Sequence, residues 1–215
     1  MKHILISTAA LIALTGCGGS SSDGSSLADL AQKIETETNL DTLFELEATA
    51  ASKVEEALAV HEKATVAVGS LFLSDNASKD GVITTASKLQ YKVIQEGLEN
   101  GASAAPGQGI AANYHGYFIN GEVFDSSYTR GQPLTGPSNG FIKGWNEALG
   151  EMKVCEARTL YINSDLAYGD NGRGGIPGGA TLLFNMQLLA VRKTDETDHV
   201  YECPEEKILS GPEAY

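Results

Sequence analysis

The spacing of apolar residues changes once in this chain, at Asp80-Gly81, and this change constrains the fold more than any other feature. Before it, from Leu27 to about Ser74, apolar residues recur at intervals of three and four, as on one face of an amphipathic helix. After it, short runs rich in β-branched and aromatic residues alternate with Gly, Asn, Asp and Pro, as in strands joined by turns. The sequence therefore predicts a helical arm over residues 27–80 and a β-rich domain over residues 81–192.

The arm is predicted to contain one long helix with a shorter helix, Leu27 to Ile34, before it. A long amphipathic helix must bury its apolar stripe, because exposed apolar surface is unfavourable in water. Two partners are open for that stripe: the domain that follows, or a second copy of the chain. We favour the second copy, a homodimer in which the arms associate.

The domain is predicted to be α+β, with an antiparallel β-sheet wrapped around one short helix. That helix is predicted over Phe141 to Leu149, between strands. The candidate strands are Lys88 to Gln95, Gly109 to Phe118, Glu122 to Ser126, Cys155 to Ile162 and Thr181 to Val191.

The first residues have the layout of a bacterial secretion signal, a basic residue followed by the apolar run Ile4 to Leu14, which is too short to remain as a membrane span. The box Leu14-Thr15-Gly16-Cys17 resembles a lipoprotein processing site, which predicts a signal peptide over residues 1–16 and a lipid on Cys17. An ordinary signal cut elsewhere is the alternative. The Gly- and Ser-rich residues 17–26 then form a flexible tether. Gly18, rather than Asp, after the cysteine favours an outer-membrane lipoprotein of the bacterial envelope.

The chain is acidic, with a formal net charge of -13 and an isoelectric point near 4.6, so phosphate backbones repel it and a nucleic-acid partner is not expected. No Cys/His cluster has metal-ligand spacing, and neither a metal nor an organic cofactor is expected. Besides Cys17, the chain has Cys155 and Cys203, an even pair in an oxidising compartment. This pair predicts a disulfide that ties a C-terminal tail, residues 193–215, to the domain.

Five ordered segments between Leu89 and Val191 carry uncommon residue types and together resemble the FKBP family of peptidyl-prolyl cis-trans isomerases. The part of the chain before them, through Asp80 to Ser87, is similar to the macrophage-infectivity-potentiator branch, whose members are envelope isomerases that dimerise through helical arms. The segments are Lys88 to Val93, Asn113 to Gly116, Gly121 to Tyr128, Phe141 to Trp145, and Leu166 to Gly169 with Ile176-Pro177 and Ala180 to Phe184.

The resemblance implies that proline-containing unfolded or exported proteins bind in an apolar pocket, where macrolide inhibitors also bind in the family. It implies that Trp145 is the pocket floor, that the Tyr168 hydroxyl donates to a substrate carbonyl, and that Arg130 pairs with the aspartate. The implied catalytic residues are Tyr114, Phe124, Asp125, Trp145, Tyr168 and Phe184. The implied substrate-binding residues are Arg130, Phe141, Ile142 and Ile176. Any one of these aromatic residues, taken alone, would be interpreted as a core residue. The match of all five segments in order favours the pocket instead.

The sequence departs from the family pattern in one wall of the pocket. Leu134 and Gly136 stand where bulkier apolar residues are usual, so this wall is expected to be thinner. Phe141 stands where valine is more common and is expected to refill part of that space. The altered wall supports an alternative function, that of an envelope chaperone or binding module with this fold and little isomerase turnover.

Overall fold

The computed structural model describes residues 26–192 and 200–215. The predicted signal peptide, Cys17 and all of the tether except Ser26 lie outside the described residues, as do residues 193–199 of the predicted tail. The described chain forms two compact units, which divide between His61 and Glu62. None of the helices in these ranges is both long enough and apolar enough to cross a bilayer.

The predicted arm contains two helices, α1 (Leu27–Thr36) and α2 (Leu40–Asn76). Helix α1 begins at a capping box, in which Ser26 and Asp29 each accept the other's backbone N–H. Helix α2 begins after Asn39, whose Oδ1 accepts the N–H of Thr42 at 3.1 Å. Both helices continue two residues beyond their predicted ends.

The last turns of α2 pack on the sheet. Asn76 and Gln90 are both buried, and Asn76 Nδ2 donates to Gln90 Oε1 at 3.0 Å. Gln90 Nε2 in turn donates to the carbonyl of Leu73 at 2.9 Å, and the Phe72 ring lies 6.0 Å from that of Tyr161. The domain therefore covers one face of the end of α2, which accounts for part of the apolar stripe.

The rest of the chain is built on one antiparallel sheet, as the sequence predicts. Its strand order is β1-β2-β6-β7-β3-β4, with β5 paired to the first half of β3 and β8 paired to β7. The strands are β1 (Val82–Thr84), β2 (Gln90–Gln95), β3 (Gly109–Phe118), β4 (Val123–Ser126), β5 (Leu134–Pro137), β6 (Ala157–Ile162), β7 (Leu182–Arg192) and β8 (Val200–Glu202). Two helices lie between them, α3 (Ser127–Arg130) and α4 (Lys143–Glu151).

Helix α4 buries one face, which carries Gly144, Trp145, Ala148 and Leu149. This spacing of one, four and five residues places the four side chains on one side of a helix. Residues on β3 alternate between buried and partly buried, and Tyr114 lies on its buried side, in contact with Trp145. The sheet and α4 thus enclose the core between them, and the predicted fold class is confirmed.

Two strands begin two residues later than the sequence predicts, at Gln90 and Ala157. The cause is the same in both strands. Lys88 and Cys155 have left-handed backbones, each with φ 72°, and a left-handed residue cannot belong to an extended strand. Strands β1, β5 and β8 were not predicted. Each has only three or four residues, and β5 ends at a proline, a residue that weakens a strand prediction.

Beyond β8, the chain from Lys207 to Pro212 contacts the face of β7 opposite Phe184, through Asn185 and Gln187. A disulfide joins Cys155 to Cys203, with 5.0 Å between their α-carbons. Gln187 has no exposed surface: its amide donates to the carbonyl of Lys207 at 2.8 Å and accepts the N–H of Leu209 at 2.9 Å. Strand β7 is therefore buried on both faces from Leu182 to Val191, with only Asn185 and Ala190 partly exposed.

Candidate active site

A cavity of about 720 Å³ opens on the side of the sheet that faces α4. All of the predicted site residues except Arg130 line it, although they come from distant parts of the chain. Arg130 lies behind the rim, in contact with Asp125 and Tyr114. The lining consists of Tyr114, Phe124, Asp125, Leu134, Gly140, Phe141, Ile142, Lys143, Trp145, Ala167, Tyr168, Arg173, Gly174, Gly175, Ile176 and Phe184.

The floor of the cavity is Trp145, which is 3% exposed. Two rings meet the indole edge to face: Tyr114 with centroids 5.0 Å apart at 84°, and Phe184 at 5.2 Å and 81°. Phe141 lies 5.5 Å away at 52°. Edge-to-face contacts of this kind are favourable because the positive edge of one ring meets the negative face of the other. The indole is therefore held on three sides.

One wall is a pair of phenylalanine rings over a glycine. Phe124 and Phe184 meet edge to face at 5.4 Å and 84°. A β-carbon at Gly116 would lie 2.7 Å from the Phe124 ring and 2.8 Å from the Phe184 ring, which is closer than non-bonded carbons approach. A residue larger than glycine at position 116 would displace both rings.

The rim contains a hydrogen-bonded group made of Tyr114, Asp125 and Arg130. The Tyr114 hydroxyl donates to the Asp125 carboxylate, and Arg130 forms an ion pair with the same carboxylate. Arg130 Nη2 also donates to the Tyr114 oxygen at 2.8 Å. Because the ion pair is partly exposed, it contributes little to stability, and its effect is to orient the carboxylate.

Helix α3 positions the arginine of this group. It follows β4 directly and is tied to β3 by Ser127, whose Oγ accepts the Tyr114 N–H at 2.9 Å. Burial, and then the hydrogen bond to Asp125, raise the pKa of Tyr114 to about 12. The hydroxyl therefore keeps its proton at neutral pH and remains a donor. The resemblance implied Tyr114 as a catalytic residue but not its hydrogen bonds to Asp125 and Arg130, and this polar role was missed.

Tyr168 lies at the mouth of the cavity, after the loop that follows β6. Its hydroxyl has no hydrogen-bond partner within the described ranges, so it is available to a ligand. Ile176 follows in a tight turn closed by two 3.0 Å hydrogen bonds between the backbones of Arg173 and Ile176.

Two lining cations, Lys143 and Arg173, were not predicted. Lys143 Nζ donates to the carbonyl of Asp165 at 3.3 Å. Its position inside the Phe141 to Trp145 segment was the available signal; Arg173 lies in a glycine-rich loop that carries no comparable signal. Across residues 26–192 and 200–215, no group of three His, Cys, Asp or Glu side chains is placed to hold a metal ion.

Two family models match the sequence. One, described as FKBP-type peptidyl-prolyl cis-trans isomerase, matches residues 100–189. The other, described as the domain amino terminal to FKBP-type peptidyl-prolyl isomerase, matches residues 24–93. Together the two models cover both the predicted arm and the domain that carries the cavity.

The known proteins that are similar to this chain include two curated relatives and one solved structure. Peptidyl-prolyl cis-trans isomerase Mip of Coxiella burnetii is 46% identical over 123 residues, 57% of this chain and 53% of that protein. Outer membrane protein MIP of Legionella longbeachae is 39% identical over 128 residues, 59% of this chain and 54% of that protein. The chain thus spans about half the length of these curated relatives. The crystal structure of FkpA from Escherichia coli is 30% identical with a TM-score of 0.68, and the likeness covers 83% of this chain and 82% of that one.

Proposed function

This chain belongs to the FKBP-type peptidyl-prolyl cis-trans isomerase family, and we propose that it speeds rotation about X-Pro bonds in exported proteins, in the cavity above Trp145. Rotation about a peptide bond must overcome a resonance barrier of about 18–20 kcal/mol, and uncatalysed X-Pro exchange takes tens of seconds or longer. No bond is made or broken. The protein needs only to bind the twisted amide more tightly than the planar one.

The observation that supports this function is the apolar floor and wall that four aromatic rings form in the cavity, beside the polar lining residues Asp125, Lys143, Tyr168 and Arg173. When resonance is lost, the carbonyl becomes less dipolar, so an apolar site disfavours the planar ground state more than the twisted state. An acceleration of three to five decades requires roughly 4–7 kcal/mol of such differential binding.

The polar groups of the rim act on the substrate carbonyls. The Tyr168 hydroxyl, which has no partner among the described residues, donates to a carbonyl of the bound peptide. Asp125 faces the twisted amide and is kept in one orientation by Tyr114 and Arg130. Asp125 transfers no proton in this mechanism, so the rate is expected to be nearly independent of pH near neutrality.

The test is an isomerisation assay on short proline peptides. Wild-type protein is expected to accelerate exchange. Tyr168→Phe is expected to lower kcat/KM by about tenfold through the loss of one hydrogen bond in the transition state. Asp125→Ala is expected to lower it by a similar factor, because it removes the charge that Tyr114 and Arg130 hold beside the cavity. Tyr161→Phe is a matched control, because Tyr161 is a tyrosine of the same domain that contacts Phe72 and does not line the cavity. Its activity should equal that of wild type.

The same variants separate the enzyme from a chaperone. No acceleration by the wild-type protein would remove the enzyme proposal. If the protein suppresses aggregation of unfolded clients equally well with Tyr168→Phe and Asp125→Ala, the binding function does not need the isomerase site. The cavity also suits macrolide ligands, which compete with proline peptides in this family, and competition by such a ligand would place both in one site.

We further propose that the protein is an outer-membrane lipoprotein anchored through Cys17. The support is the processing box that ends at Cys17, the Gly- and Ser-rich tether after it, and the likeness to a relative named an outer membrane protein. Cys17→Ser should move the protein from the outer-membrane fraction to the soluble fraction of the envelope. Unchanged membrane fractionation of Cys17→Ser contradicts the anchor.

A homodimer is the third proposal. It is supported by large apolar side chains that α2 leaves exposed in a single chain, among them Phe44 and Leu58 on one face of the helix. Covering such residues with the same residues of a second copy removes apolar surface from water.

A further inference from the structure

Gly136 occupies an unusual position beside the cavity. Along β5, Leu134 and Gly136 are the two partly buried residues, so they face the same side of the strand. Leu134 lines the cavity, whereas Gly136, one step further along the same face, does not. Another residue must therefore fill the wall at this point.

The residue that fills it is Phe141. A β-carbon at position 136 would lie 3.0 Å from Phe141 Cζ and 3.5 Å from Cε1, and optimal carbon contacts are about 3.5–4.0 Å. The ring therefore rests on the bare backbone of Gly136, while it also contacts the Trp145 indole at 5.5 Å. It bridges β5 and the pocket floor.

Phe141 cannot easily retreat if this contact tightens, because Asn146 holds its backbone on both sides. The Phe141 N–H donates to Asn146 Oδ1 at 3.1 Å, and Asn146 Nδ2 donates to the Phe141 carbonyl at 3.2 Å. The freedom that remains is rotation of the Phe141 side chain. A larger residue at position 136 would consequently push the ring into the cavity.

The backbone itself accepts a side chain at this position. Gly136 is not among the glycines with positive φ, so an L-residue there is not strained by its own conformation. The consequence of a substitution is therefore transmitted by the ring of Phe141.

We infer that Gly136 and Phe141 together set the size of the side chain accepted before the substrate proline, with Gly136 acting as a positioning residue through the ring. This inference rests on the proposed isomerase function and names its substrate preference. A larger residue at position 136 drives the Phe141 ring into the cavity and selects against substrates with a bulky residue before proline. A smaller residue at 141 opens the cavity toward β5 and favours them.

The test compares peptides with Ala or Phe before proline and measures the ratio of their kcat/KM values. Gly136→Val should lower the Phe-to-Ala ratio by about fivefold or more, and Phe141→Val should raise it by a similar factor, since size discrimination in apolar pockets is worth about 1–3 kcal/mol. The double variant should return to within about twofold of wild type, because the valine side chain introduced at position 136 then meets no ring.

Gly109→Val is the matched control. Gly109 lies on β3 opposite Pro137, and a β-carbon there would meet Arg192 at an ordinary 3.7 Å. The Phe-to-Ala ratio of kcat/KM for Gly109→Val should equal that of wild type. Gly136→Ala should move the Phe141 ring by less than Gly136→Val and change the Phe-to-Ala ratio in the same direction. It can therefore replace Gly136→Val in the test if the valine variant does not fold.

A second measurement keeps this inference distinct from the proposed function. Trp145 is the one tryptophan of the chain, so its fluorescence reports peptide binding without turnover. If Gly136→Val weakens both peptides equally, or if its effect persists unchanged in the Phe141→Val background, the inference is wrong even though catalysis stands. If wild type binds the peptides but does not turn them over, the function proposal fails, and the ratios of binding constants still decide the role of the pair.

Discussion

The cavity and helix α2 use the same kinds of side chain in opposite ways. Around the cavity, Trp145 is 3% exposed and is contacted by rings from β3, β7 and the segment before α4. On α2, Phe44 is 60% exposed and Leu58, on the same face of the helix, is 62% exposed. The cavity is therefore complete within one chain, whereas the exposed stripe of α2 is not covered. Recognition of proline and self-association should accordingly be separable by substitution.

The largest expected effect breaks the association and leaves the cavity intact. Phe44→Glu combined with Leu58→Glu should weaken the dimer by about a thousandfold, since each central apolar residue of an interface is worth about 2 kcal/mol. Sedimentation velocity measures the change. Activity on short peptides should stay within about twofold of wild type, because no substituted residue lines the cavity.

Ser52→Glu is the control for charge on α2, because Ser52 is an exposed polar residue of the same helix. It should leave the dimer unchanged. A wild-type protein that is monomeric at micromolar concentration contradicts the homodimer, and a loss of peptide activity on dissociation contradicts the separation of the two regions.

A smaller effect concerns the covalent link within the domain. Replacing Cys155 and Cys203 by serine opens a disulfide with a sequence separation of 48 residues. The free energy of unfolding should fall by about 2–4 kcal/mol, because the unfolded chain regains the entropy that the closed loop had removed. Denaturant titration measures it, and a thiol reductant should destabilise wild type but not the double-serine variant. Equal stability of both proteins under oxidising conditions contradicts the prediction.

The smallest effect is a tyrosine-dependent loss of stability in alkali, to which the helical arm cannot contribute because all tyrosines of the chain lie at or after Tyr91. Burial raises the pKa of Tyr114 to about 12. The folded state therefore holds a proton that the unfolded state releases above about pH 10, so stability is complete below pH 10 and falls as the pH rises toward 12.

Between pH 10 and pH 12, the raised pKa of Tyr114 is expected to lower the free energy of unfolding by about 2 kcal/mol. Thermal unfolding between pH 8 and pH 11.5 measures it, and Tyr114→Phe should flatten the dependence relative to wild type. Burial also raises the pKa of Tyr117, Tyr128, Tyr161 and Tyr215, so a substantial dependence should remain in the variant. A slope that Tyr114→Phe leaves unchanged would assign the whole effect to the other tyrosines.

The sequence was sufficient to identify the side chains that meet in the cavity, because they belong to ordered segments with uncommon residue types. The resemblance implied the pair of Arg130 and Asp125, but not the hydrogen bonds that the Tyr114 hydroxyl makes with both of them. Those depend on the register of β3 and β4, in which His115 pairs with Ser126 and an irregularity follows Gly116. No spacing along the chain encodes that register.

The predicted starts of two strands were wrong for a local reason, and two short strands were missed for a long-range reason. The predicted strands at Lys88 and Cys155 began too early because apolar pattern does not reveal a left-handed backbone in a residue other than glycine. Strands β5 and β8 are too short to show a period, and they exist because β3 and β7 offer free edges to them. Their partners decide their conformation.

The bond between Cys155 and Cys203 has a consequence for proteolysis. The loop it closes includes Tyr168 and the mostly exposed residues from Asp170 to Gly175, which are small or polar and suit a protease. A single cut there releases no fragment, because both pieces stay joined through sulfur. The nicked molecule should run as one band on a non-reducing gel and as two after reduction, so in an oxidising envelope damage to the mouth of the cavity would not by itself dismantle the domain.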